Sequence, residues 1–189
     1  YCSKILLFLT SLFILSHYMT KHIFICSIKV AFYCNFFKNG GIQRVISLLI
    51  NNISKEKKFA FYLITKYGKL EGEYSLPKNT KRIILSENNI SLSEAVRINH
   101  IDILIYNFYY KPIIKELNKI KSTKIIYYDH SSFFYWIYKN ITNFKDTVYS
   151  EYKKCKYIIS LIPLENDYLF EKWGINSILM DNPTTFEDN

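Results

Sequence analysis

The chain has 189 residues, 49% of them hydrophobic, which is enough material for one domain with a well-buried core. Its formal net charge of +9 suits phosphate-bearing partners or anionic surfaces. Because the lysines and arginines are scattered and form no basic arm, the sequence argues against nucleic acid as a partner.

An apolar stretch opens the chain. Residues 5–15 form an apolar run that is too short to span a bilayer as a helix, and a polar break at residues 16–22 follows it. We therefore treat residues 1–27 as an apolar leader of uncertain status: non-structural, membrane-associating, or an extra helix or strand. Because the first residue is Tyr1 and not Met, we expect a fragment or a misplaced start.

The next segment predicts a strand, a glycine turn and a helix. Residues 28–34 are apolar, Gly40 and Gly41 follow, and apolar residues then recur at helical spacing. The unpaired N–H groups at such a helix N-terminus can hold a phosphate or carboxylate, and a glycine lets the ligand approach the backbone. A tight turn without any ligand is the alternative interpretation. The predicted buried face consists of Ile42, Val45, Ile46, Leu49 and Ile53.

Strands and helices alternate through the rest of the chain. Ser91 and Glu94 have capping-box spacing, and Pro163 and Gly174 bracket the last helix. This alternation predicts an α/β fold, a Rossmann-like parallel sheet with helices on both faces. The predicted strands are residues 59–65, 81–85, 102–106, 123–128, 156–161 and 176–180. The predicted helices are residues 91–99, 112–120, 131–139, 146–155 and 163–173.

Ligands of such sheets bind beyond the carboxyl ends of the strands. The loops after the first, fourth, fifth and sixth strands should therefore line one crevice. The candidate ligand-binding residues in these loops are Gly40, Gly41, Asn107 and Ser160.

His130 is the candidate catalytic residue of this crevice. It follows the fifth strand, and an imidazole can donate to a sugar hydroxyl or a phosphate oxygen and titrates near neutrality. The alternative is that Asp129 and His130 only cap the next helix. We interpret Asp129 as a cap or orienting residue and not as a base.

No metal site or cofactor is predicted. The four cysteines form no C-x-x-C pair, and no histidine stands at zinc spacing beside them. A reducing, cytoplasmic compartment is the simplest account, with peripheral contact to a membrane as a further option.

Four segments in order resemble one known family. "KVAFYCNFFKNGGIQRVISLLINNI" resembles the opening of the N-terminal domain of family 4 retaining glycosyltransferases, which have the GT-B architecture of two Rossmann-like domains. "DILIYNF", "KIIYYDHSSFF" and "CKYIISLIPLENDYLFEKWGINSILMDNP" resemble later segments of that domain.

The resemblance implies a glycosyltransferase fragment that is inactive alone. Residues 28–180 would form the acceptor-side domain, and residues 181–189 would begin the linker to a donor-binding domain. The whole enzyme would move a sugar from a nucleotide-sugar, as donor substrate, to a glycan or lipid-linked acceptor. Gly40 and Gly41 would lie near the donor phosphates and His130 near the transferred sugar.

Two other functions remain open from the sequence. The chain could be a non-catalytic Rossmann-like binding module, or a small membrane-anchored protein that uses residues 5–15. A second α/β domain encoded downstream would favour the transferase.

Overall fold

The computed structural model of the protein describes residues 27–107, 115–130 and 155–183. The predicted leader up to residue 26, the predicted helix at residues 131–139 and nearly all of the one at residues 146–155 lie outside the described residues. So do residues 184–189 of the predicted linker. Of the helix predicted at residues 112–120, residues 115–120 are described, and only residues 115–117 of these are helical.

The described strands form one seven-stranded sheet in the order β3-β2-β1-β4-β5-β6-β7, and every neighbouring pair is parallel. The fold class predicted from the sequence, a Rossmann-like parallel sheet with helices on both faces, is confirmed. The strands are β1 (Ile28–Cys34), β2 (Phe59–Thr65), β3 (Lys81–Ile84), β4 (Ile103–Tyr106), β5 (Lys124–Tyr128), β6 (Tyr157–Ser160) and β7 (Ser177–Leu179).

The described helices begin and end largely where the cap residues predicted. Ser91 accepts a hydrogen bond from the Glu94 N–H (3.2 Å), and Gly174 ends the last helix in the left-handed conformation at φ 63°. None of the described helices is both long and apolar enough to cross a bilayer. The helices are α1 (Gly41–Ile53), α2 (Leu85–Asn88), α3 (Leu92–Ile98) and α4 (Pro163–Trp173).

Strands β4 to β7 are one residue shorter than predicted at one or both ends, and the third predicted strand differs in type at its end. The third strand was expected to run through Leu85, but the strand ends at Ile84 and Leu85 begins the short helix α2. Asn89 ends this helix at φ 49°, a conformation that asparagine tolerates better than most residues. The apolar pattern wrongly predicted a strand at Leu85, because a buried leucine can reach the core from a helical turn as well as from a strand.

Each face of the sheet has its own apolar core. Phe32 and Ile46, from β1 and α1, are buried on one face. Leu104, Val96 and Leu169, from β4, α3 and α4, are buried on the other. Each such side chain contributes roughly 1.5–3 kcal/mol on burial, and the two cores hold α1 and α3 against opposite faces. We call the face covered by α1 the α1 face.

The long loop between β2 and β3 is tied to the loop after β1. Arg82 on β3 donates to Glu73 in the loop (Nη2 to Oε1, 2.8 Å), and a second contact joins its Nη1 to Oε2. Burial alone would raise the pKa of Glu73, but the bonds from Arg82 and the Leu70 N–H lower it. Glu73 also pairs with Lys38 in an isolated antiparallel bridge. This bridge connects the segment just before the glycine turn to the loop between β2 and β3.

Candidate functional site

The candidate residues lie at the carboxyl edge of the sheet, where its connections reverse direction. β1 is flanked by β2 on one side and β4 on the other, and the chain after β1 and after β4 therefore diverges. Crevices at such switch points bind ligands in open parallel sheets. The described ends of β1, β4, β5 and β6 place Gly40, Gly41, Asn107, His130 and Ser160 along this one edge.

The N-terminus of α1 has no side-chain cap. Gly40, the N-cap residue, has extended backbone angles (φ −133°, ψ 155°), and the first turn contains no acidic residue. Gly41 is exposed, and a Cβ built on it would meet no atom within 4 Å. The positive end of the helix dipole is therefore open to an anion at Gly41.

Gln43 partly covers the other glycine. Its side chain donates to the Phe36 carbonyl (3.2 Å), and its amide tip occupies the place where a Cβ on Gly40 would stand. Because that tip is the end of a flexible side chain, a ligand can displace it without moving the backbone. The sequence did not single out Gln43.

Asn107 and His130 are in direct contact. His130 Nε2 lies 3.1 Å from Asn107 Oδ1, and Asn107 Nδ2 donates to the Tyr33 carbonyl of β1 at 3.5 Å. Asn107 is almost fully buried, with 1% of its surface exposed. The structure thus brings two of the predicted residues together, with Asn107 lying beneath His130 and linking it to β1.

Tyr128 and Asn182 complete the surroundings of His130. The Tyr128 ring lies against the imidazole, with centroids 4.1 Å apart, and its hydroxyl donates to Asn182 Oδ1 (3.1 Å). Tyr128 belongs to the core of the α1 face, so His130 lies on the side of the sheet that α1 covers. The sequence reasoning missed both residues, although the carboxyl-end rule applied to β7 would have indicated Asn182.

His130 is neutral at physiological pH. Burial lowers the pKa of His130 to about 4, and a hydrogen bond with Asn182 offsets only part of this shift. The sequence suggested titration near neutrality, because an exposed imidazole has that property. In its half-buried position the neutral ring instead acts as a hydrogen-bonding group that does not titrate near neutrality.

Ser160 and Asp129 are enclosed. Ser160 has no exposed surface, and its hydroxyl donates to Glu165 Oε2 (2.9 Å) at the start of α4. Asp129 is 4% exposed and its N–H bonds the Ile159 carbonyl. The Ser160 hydroxyl is therefore already bonded within the protein. Contact of Ser160 with a ligand stays a prediction.

A separate cavity of about 480 Å³ lies at the carboxyl ends of β2 and β3. Leu85 and Leu92 in its wall belong to the core of the face opposite α1. Lys66 stands over the half-exposed ring of Tyr67, 5.0 Å from its centroid. This cavity therefore lies on the opposite face of the sheet from His130. The other polar lining residues are Ser86, Asn89, Ser91 and Glu116.

The described part of this edge holds no cluster of metal ligands. Within residues 27–107, 115–130 and 155–183, no three histidine, cysteine or acidic side chains are grouped to hold a metal ion. Cys34 ends β1 with no exposed surface, and burial raises the pKa of its thiol to about 12. Cys34 is therefore an uncharged core residue.

Among the comparisons with known proteins, only the comparison with solved structures gives a match. No protein-family model matches the sequence, and no protein of curated function does so. An alpha-glucosyltransferase in complex with UDP-glucose and DNA containing an abasic site matches with a TM-score of 0.54 and 14% identity, over 84% of this chain and 43% of that chain. Two alpha-glucosyltransferase complexes with UDP and a 13-mer DNA containing an HMU base give TM-scores of 0.53 and 0.52.

These structures establish a fold of the kind found in GT-B glycosyltransferases. The chain spans about two fifths of the length of the glucosyltransferases it matches, since the match covers 43% of each.

The same structures contradict the predicted partners. We expected a glycan or lipid-linked acceptor and no nucleic acid, but these proteins of the same fold were solved with DNA. The exclusion of nucleic acid was wrong because it relied on the scatter of basic residues along the sequence. Charges that are distant in the sequence can form one positive surface after folding.

Proposed function

We propose that this chain is part of a glycosyltransferase that moves a sugar from a nucleotide-sugar donor to an acceptor hydroxyl. The observation that carries the proposal is the arrangement at one edge of the sheet: an uncapped, open glycine turn at α1 and a half-buried, neutral His130 on the α1 face. The likeness to glucosyltransferases solved with UDP or UDP-glucose supports the same reaction class.

The donor's phosphates would lie at Gly40 and Gly41. The first N–H groups of α1 point toward this position, and the helix dipole favours negative charge there. Gly41 leaves the approach open, whereas Gln43 would have to swing away from Gly40. Phosphate binding would thus replace the internal Gln43 contact with bonds to the helix N-terminus.

His130 would contact the transferred sugar. Because its pKa is about 4, the neutral ring is a weak base near pH 7 and serves as a hydrogen-bonding group. This agrees with the retaining reaction that the family 4 resemblance implies, in which no separate protein base is expected. We assign no base role to Asp129, which is enclosed beside His130.

The remaining parts of the proposal concern the whole protein. We infer a longer polypeptide in which a second domain supplies most donor contacts, so that this chain alone is inactive. A cytoplasmic location is in keeping with the free thiols of Cys34 and Cys155. For the acceptor we propose only a hydroxyl-bearing molecule, and DNA belongs among those tested because the chain carries a net charge of +9.

Gly41→Val tests the phosphate position. In the longest in-frame polypeptide that contains this chain, we expect turnover to fall by on the order of tenfold or more, because a branched side chain would block close approach of the phosphate. Folding should change little, since a Cβ at Gly41 meets no atom within 4 Å. Turnover and donor KM would be measured beside the thermal midpoint.

Asn52→Val is the matched control, because it places the same side chain at an exposed position near the other end of α1. The control should keep normal turnover. A folded Gly41→Val protein with the turnover and donor KM of the parent would show that the donor phosphates do not bind at this turn.

A further inference from the structure

Asn107 occupies a position between two strands and the candidate catalytic side chain. It follows β4 directly, is 1% exposed, and contacts the β1 backbone on one side and His130 on the other. Both of its side-chain polar atoms are used in these two contacts. Because Asn107 is 1% exposed, its contact with a ligand, as expected from the sequence, would require the residues that cover it to move.

The two contacts fix the orientation of the amide. A backbone carbonyl can only accept, so the Asn107 NH₂ group must face Tyr33, and the Asn107 carbonyl oxygen must face His130. That oxygen also can only accept a hydrogen bond. In the neutral ring one nitrogen is a donor and the other an acceptor, so the nitrogen facing Asn107 has to be the donor.

We propose that Asn107 is a positioning residue: anchored on the Tyr33 carbonyl, it holds the His130 imidazole at the carboxyl edge with its proton on Nε2. The Tyr128 ring fixes the plane of the imidazole, and the Asn107 oxygen fixes its rotation and tautomer. Exchanging the tautomer would set Nε2 against the Asn107 oxygen with no proton between them.

The consequence for transfer rests on the proposed glycosyltransferase function, whereas the tautomer itself does not. Nε2–H is committed to Asn107, and the ring also has a hydrogen bond with the Asn182 side chain, so a ligand would meet the part of the ring that these two residues leave uncovered. Losing Asn107 would leave the ring in place against Tyr128 and Asn182 but would remove the acceptor that holds the proton on Nε2.

The experiment is long-range ¹H–¹⁵N NMR of the histidine rings in the full chain near pH 7, without donor or acceptor. We expect the His130 signals to show a protonated Nε2 and an unprotonated Nδ1. Asn107→Leu should give a mixture of tautomers, because leucine has a similar volume and no acceptor. Asn107→Asp should restore Nε2–H, because a protonated carboxyl can donate to the Tyr33 carbonyl with one oxygen and accept from Nε2 with the other. Asn99→Leu, a half-buried asparagine on α3's C-terminal end, should leave His130 unchanged.

Each outcome decides the proposal. A parent spectrum with the proton on Nδ1 overturns it, and so does an Asn107→Leu spectrum identical to that of the parent. If Asn107→Leu fails to fold, the parent spectrum and Asn107→Asp decide. In the complete enzyme we expect Asn107→Leu to lower turnover roughly tenfold, by analogy with the partners that orient metal-bound histidines. A confirmed tautomer with no transferase activity would sink the proposed function and leave this assignment standing.

Discussion

His130→Ala is expected to lower the turnover number of the complete enzyme by roughly one to three orders of magnitude, the usual range for losing one positioned polar or proton-transfer group. The substitution removes the hydrogen bond with Asn107 and the ring contact with Tyr128. Since these contacts are partly buried, we also expect a loss of about 1 kcal/mol in unfolding free energy. The measurement is turnover per folded molecule, with the folded fraction taken from thermal unfolding.

His100→Ala is the matched control, because it removes an exposed histidine from the turn before β4. This variant should keep its turnover. If His130 only caps the following segment, His130→Ala would cost about 0.5–2 kcal/mol of stability and leave turnover per folded molecule near normal. That result would show that His130 has a structural role and is not part of the functional site.

The stability of the protein is expected to fall by about 3 kcal/mol between pH 6.5 and pH 4 through His130 alone. Burial lowers the pKa of His130 from 6.5 to about 4 in the folded protein, so within this window the unfolded chain binds a proton that the folded one does not. The contribution is complete above pH 6.5 and is lost as the pH falls toward the folded pKa. The measurement is the free energy of unfolding in urea at several pH values.

The comparison with His130→Asn isolates this contribution from the carboxylates that titrate in the same range. The variant should lose about 3 kcal/mol less stability than the parent over the same pH interval. His100→Asn, at a position with φ 52° that asparagine tolerates, should follow the parent curve. Parallel curves for the parent and His130→Asn would show that folding does not lower the pKa of His130.

Most of the described fold follows from local patterns in the sequence. The apolar runs predicted β1 and β2 with the bounds that the structure gives, because both strands are buried along almost their whole length. Cap residues predicted α3 and α4 because Ser91, Pro163 and Gly174 act through short-range backbone geometry. Helix α2 was missed because its single buried residue, Leu85, has no periodicity to detect.

The site was predictable in position but not in detail. The rule for the carboxyl ends of parallel strands selected Asn107 and His130, which the structure places in contact. The sequence could not show that Asn107 turns inward to Tyr33, or that Ser160 is enclosed by Glu165, because both depend on packing between distant segments. The lowered pKa of His130 has the same origin, since burial is a property of the folded chain.

Transfer of a sugar from a nucleotide-sugar is the most direct test of the central claim. The longest in-frame polypeptide containing this chain would be purified and incubated with labelled UDP-glucose or other nucleotide-sugars, together with candidate acceptors that include DNA. We predict release of the nucleotide and appearance of the label on an acceptor hydroxyl with retained anomeric configuration, both reduced in His130→Ala. A folded protein that binds no nucleotide-sugar and transfers no label to any acceptor would contradict the account and favour a non-catalytic binding module.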